Sequence, residues 1–207
     1  MEEQMKAGLD KQDATRFFAL MTMQTDFTIT TCIWRAYQDF CRTLHGMNSA
    51  NGTGQAKNHA ESILETMLNK CTSIKLEVDD FDNLHRTTCH QLKETFKSIV
   101  TFHIGQSQKW VNMSLKYMYY LHLANLLITP SPFDKAVLDH NVKWFHMPVD
   151  NIVLEDFRIG SIYRQNVRAA LPWSRTDNYD DYLRFQVALR KQFNVPLLVV
   201  ENEVWRQ

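Results

Sequence analysis

The chain has 207 residues, 23 basic and 23 acidic, for a net charge of zero. That length allows one large domain or two small ones around a substantial core. A 44% hydrophobic content with only 6 Gly and 5 Pro excludes a loop-rich, disordered or collagen-like chain and argues against an all-β architecture.

Residues 14–46 place apolar groups at helical spacing, among them Phe17, Phe18, Met21, Phe27, Ile33, Trp34, Tyr37, Phe40 and Leu44. They predict two helices divided near Thr25 and Asp26, with Asp26 as a cap. Asn48 to Gly54 reads as a loop. A third helix is predicted over about 56–71, with Ile63, Leu64, Met67 and Leu68 inward. A fourth follows Asp79 and Asp80, with Phe81, Leu84, Cys89, Leu92 and Phe96 on one stripe. A glycine turn at Gly105 then launches a helix over about 106–127, broken at Thr129–Phe133. Short helices are predicted over about 134–144, 148–157 and 161–170, and a longer one over about 178–193. After Pro196 comes the strand-like run Leu197–Val200, where the proline at a first helical position favours a helix instead.

Two stretches carry chemistry. In 102–113 the glycine turn puts Lys109 in the opening turns of a helix, beside Trp110 and Met113, whose burial would favour a neutral, nucleophilic amine. Asn112, Lys116 and Tyr120 continue a polar stripe on the same face. In 146–153 a Pro148-Val149-Asp150 step opens another helix, where free backbone amides and the positive dipole end keep Asp150 ionised. Such a carboxylate can stabilise the cation that develops on a sugar as a glycosidic bond breaks.

The glycine turn, the lysine and the Pro-Val-Asp step, in this order, resemble the helix-hairpin-helix DNA glycosylases, over about a quarter of the chain and closest to their oxoguanine branch. The family's second hairpin glycine is replaced here by Ser107 or His103, and an inserted element over 127–145 separates the two stretches. The resemblance implies an all-α, two-lobed domain with a cleft. One lobe would span 14–100 and the catalytic one about 101–175, with C-terminal helices from 176 to 207. It implies Lys109 and Asp150 as catalytic residues and Gly105, Gln106 and Ser107 as phosphate contacts. The acid-free strip with Arg158, Arg164 and Arg168, ending at Arg175, would add DNA contacts. Trp110, Asn112, Trp144, His146 and Trp173 are the candidates for a base pocket, where an aromatic ring stacks on an extruded base. The expected partner is DNA carrying an oxidised purine or a bulky modified pyrimidine, such as those of phage DNA.

Two other classes remain open. Zero net charge fits a non-catalytic helical binder of a nucleotide or a protein, and the Met- and aromatic-rich helices fit a structural module. His85, Cys89 and His90 have partial ligand spacing, but a zinc site lacks its fourth group, and no cofactor is expected. Asp177, Asp180 and Asp181 read as capping residues. The scattered cysteines Cys32, Cys41, Cys71 and Cys89, the charged opening Met1–Lys6 and the absence of a long apolar run predict a reduced, monomeric cytoplasmic protein without a membrane span.

Overall fold

The computed structural model describes residues 27–41, 44, 53–127, 134–167 and 171–206. Among these residues the fold is all-helical, with no β-strand. The helices are α1 (Ile29–Phe40), α2 (Thr53–Ser73), α3 (Val78–Thr95), α4 (Ile104–Leu123) and α5 (Lys135–Asn141). They continue as α6 (Asn151–Glu155), α7 (Phe157–Asn166), α8 (Tyr179–Gln192) and α9 (Leu197–Trp205). Two 3-10 turns, Val142–Trp144 and Trp173–Arg175, complete the set. The predicted first helix with Phe17, Phe18 and Met21, the Asp26 cap, residues 48–52, the Thr129–Phe133 break and Arg168 lie outside the described residues.

Local chemistry sets the helix ends. Thr28 caps α1, its hydroxyl accepting from the Thr31 amide at 3.3 Å. Asp79 and Asp80 occupy the first turn of α3 and Lys93 the last, matching the helix dipole. α4 starts at Ile104, so Gly105 lies inside the first turn and not in a turn before the helix. It starts there because the Gln106 side chain reaches back to the His103 amide, accepting at 2.8 Å. It ends in a Schellman motif: Asn125 takes φ 56°, and the Leu126 amide donates to Leu121 at 2.9 Å.

Every residue of α4 from Ile104 to His122 is buried, which makes it the central helix. α1, α2 and α3 pack around it together with the Trp173–Arg175 turn. Trp110 joins this packing: its ring lies 4.9 Å from Phe40 and 5.3 Å from Tyr37, centroid to centroid, and its indole N–H donates to the Ile33 carbonyl at 3.0 Å. The buried side chains form one continuous cluster from Ile29 to Val200. In α9 Leu197, Leu198, Val199 and Val200 are all buried, so the run that resembles a strand is a helix covered on every side.

Candidate active site

Lys109 and Asp150 meet. The Lys109 ammonium donates to Asp150 Oδ2 at 2.6 Å, although the residues lie 41 positions apart. Their side chains are 8% and 16% exposed, so the pair is largely withdrawn from water. Asp150 is the N-cap of α6, and its other oxygen, Oδ1, accepts from the Val153 amide at 2.9 Å. One carboxylate therefore closes a helix and holds an ammonium at the same time. Lys109 reaches it from the second turn of α4, whose burial on all faces denies the lysine the solvated position usual for this residue.

The start of α4 is committed to the fold. The Gly105 amide donates to the Thr176 carbonyl at 2.8 Å, and the Ile104 amide approaches Asp177 Oδ1 at 3.4 Å. Gly105, Gln106 and Ser107 are buried. The expectation that they meet a DNA phosphate is therefore corrected: these amides are covered and already paired. The glycine has another cause. A Cβ at Gly105 would overlap the Trp173 carbonyl, so its absence lets the Trp173–Arg175 turn lie directly on α4.

A buried chain of hydrogen bonds runs behind the pair. Arg190 grips Asp82 with two bonds of 3.0 and 2.7 Å, and Asp82 Oδ1 lies 2.9 Å from His146 Nε2. A carboxylate only accepts, so His146 donates from Nε2, and its Nδ1 accepts from the Tyr182 hydroxyl at 2.9 Å. Tyr182 in turn accepts from the Asn112 amide at 2.8 Å, and Asn112 Oδ1 accepts from His85 Nε2 at 2.9 Å. The chain returns to its start at Tyr179, whose hydroxyl donates to His85 Nδ1 at 2.7 Å and lies 3.3 Å from the Asp82 carbonyl. Every donor direction follows from the charge on Asp82. Burial holds both histidines neutral, with His146 lowered to about 4 and His85 well below its usual range, the latter also opposed by His146. Burial pushes the Asp82 carboxyl up, but its hydrogen bonds from His146 and Arg190 outweigh this and hold it low. Burial raises the Tyr182 hydroxyl, so it stays protonated.

The five pocket candidates separate. Trp110 lies in the core against α1, and Trp144 donates to the Leu76 carbonyl at 2.9 Å under the Lys143 side chain. Asn112 and His146 belong to the buried chain. Of the five, Trp173 alone lines the small crevice at the start of α4, and neither Lys109 nor Asp150 is among its walls. The other walls include Gly105, Gln108, Val149, Tyr163 and Tyr182. This crevice has a volume of about 10 Å³, room for about one water. Gln108, Tyr163 and Tyr182 were not expected there. Gln108 and Val149 directly precede Lys109 and Asp150, which is the signal that was present, whereas Tyr163 and Tyr182 stand far from both stretches in the chain.

Arg158 is held by Asp156 at 3.1 Å and rests 5.5 Å from the Phe193 ring. Arg164 and Arg175 are exposed. Asp177 reaches Lys93 at 2.7 Å, Asp180 pairs with Arg86 at 2.7 Å, and Asn178 supplies the α8 cap. Among the described residues no group of three His, Cys, Asp or Glu side chains is placed to hold a metal ion, and no helix is long and apolar enough to cross a membrane. The chain matches no family model, no curated protein and no solved structure.

Proposed function

We propose that this chain is a DNA glycosylase that excises a modified base, with Lys109 and Asp150 as its catalytic residues. The observation that carries this reading is the 2.6 Å contact between an amine and a carboxylate drawn from the two stretches that resemble helix-hairpin-helix glycosylases. The all-helical fold is compatible with the two-lobed arrangement of that family. In the reaction the bond from the sugar C1′ to the base breaks, and the base departs with the electron pair. The Lys109 ammonium gives a proton to the departing base, and the freed amine bonds to C1′. Asp150 stabilises the positive charge on the sugar as the bond breaks. Opening of the sugar ring gives a Schiff base, from which strand cleavage by β-elimination can follow. Access for a base requires the elements around the pair to part, because the two side chains are only 8% and 16% exposed. The partner is DNA bearing an oxidised purine or a bulky modified pyrimidine, met by a monomer in the cytoplasm.

The test is borohydride trapping on oligonucleotides that carry a panel of such bases. Unaltered protein gives a covalent protein–DNA adduct on its cognate base, and Lys109→Gln gives none while still binding DNA. Asp150→Asn keeps the helix cap, because asparagine caps as well as aspartate, and lowers excision by about 10²–10³. If both variants excise at the unaltered rate, the roles assigned to the two residues are wrong.

A second reading has its own support. The internally paired start of α4, which leaves the Gly105 amide no role at a DNA phosphate, favours a non-catalytic helical protein that binds a nucleotide or a protein partner. Absence of any adduct and any excision across the panel selects it.

A further inference from the structure

The segment that delivers Asp150 has no regular structure. Phe145 to Val149 run extended and buried, and Pro148 has no amide to donate. Buried backbone groups need partners, and no strand supplies them here. The partners are side-chain amides from two helices. From α8, Gln186 Oε1 accepts from the Met147 amide at 3.0 Å, and Gln186 Nε2 donates to the Met147 carbonyl at 3.0 Å. This pairing copies what a neighbouring strand would make. From α4, Asn112 reaches the same carbonyl only at 3.4 Å, and Gln108 reaches the Val149 carbonyl at 3.5 Å. The two short bonds thus belong to a residue on a different helix from Lys109. Gln186 is fully buried, so neither its donor nor its acceptor has water as an alternative.

We infer that Gln186 is a positioning residue: by clamping the Met147 backbone it sets the height at which Asp150 meets Lys109. The inference rests on the glycosylase reading for its functional meaning and not for its geometry. Loss of the clamp leaves the Met147 carbonyl with only the 3.4 Å contact from Asn112 and its amide with no acceptor, while His146 stays anchored to Asp82 and Tyr182. Asp150 then shifts, and Lys109 loses its partner.

The experiment reads Lys109 without DNA. The full chain is reductively methylated with formaldehyde and cyanoborohydride, and the modification of Lys109 is compared with that of Lys116 by peptide mass spectrometry. Lys116 is an internal reference, since it is equally buried on α4 and paired with Glu201 at 2.7 Å. Asp150→Asn and Gln186→Leu are each expected to raise Lys109 modification severalfold over Lys116. The double variant is expected to be no faster than Asp150→Asn alone, because both changes remove the same contact. If Gln186→Leu does not fold, Gln186→Glu keeps the volume and, as a carboxylate, cannot donate to Met147. An unchanged Lys109 rate overturns the inference, as does an equal rise at Lys116, which would mean general loosening. With a cognate base, the Gln186 variant lowers kcat at unchanged KM. Failure of the unaltered protein to excise any base overturns the glycosylase reading and leaves the methylation result to decide on Gln186.

Discussion

At the scale of the residue, Gly105 shows how a correct observation can carry the wrong cause. The sequence suggests a turn for phosphate, yet the glycine amide serves Thr176 and its missing Cβ admits the Trp173 carbonyl. Gly105→Ala should therefore lower stability by about 1–3 kcal/mol, the usual range for overpacking, since a backbone carbonyl has to move. Gly54→Ala is the control: nothing lies within 4 Å of its added Cβ, and stability should hold or rise slightly. Urea midpoints of the two variants check both outcomes, and equal effects would remove the packing explanation. Lys109 and Asp150 were legible because each stands at a helix start with chemistry of its own. Trp110 and Trp144 were misplaced because sequence gives a ring's helix and not the face it turns. Gln186 carries no signal at all, since its role depends on a backbone 39 positions away.

At the scale of the element, the helices were legible through their periodicity, and the boundaries moved by a few residues where side chains cap. The strand-like run in α9 was a helix because complete burial erases alternation. What no element predicts alone is the polar chain joining α3, the 145–150 segment, α8 and α4. His146 is surrounded by Asp82, Arg190, Tyr182 and His85, and burial lowers it from 6.5 to about 4. In the unfolded chain it takes up a proton near pH 6.5, whereas in the fold it does so only near 4. Stability is therefore full above about pH 6.5 and falls as the pH drops toward 4, by about 3 kcal/mol from this residue. Asp82 is lowered in the fold, so its contribution is present above its usual range near 3.8 and is lost at still lower pH. Both effects destabilise in acid. Melting temperatures measured from pH 7 to 4 should fall steadily, and His146→Gln should flatten that slope; an unchanged slope would show that His146 does not titrate with folding.

At the scale of the whole molecule, zero net charge leaves DNA binding to local features. Arg158 is already offset by Asp156, whereas Arg164 is exposed and has no ion pair among the described residues. If DNA lies along this strip, Arg164→Ala should reduce the salt dependence of affinity by about 0.9 log unit per tenfold salt, and Arg158→Ala by less. Affinity measured from low to physiological salt decides this, and a slope that neither variant alters places the DNA elsewhere. The all-helical class was legible because few glycines and prolines leave long periodic stretches intact. The wrapping was not, because it depends on which helix becomes central. That α4 is enclosed on all sides has a consequence for the chain as a unit of inheritance. Its walls come from sequence before it, in α1 to α3, and after it, in the Trp173–Arg175 turn and α8 to α9. A piece cut at either flank exposes part of this buried helix, and one cut on its C-terminal side also strands Lys116 from Glu201. The pair of Lys109 and Asp150 is thus not a portable motif that could be lifted onto another protein, but a property of the entire length from α1 to α9.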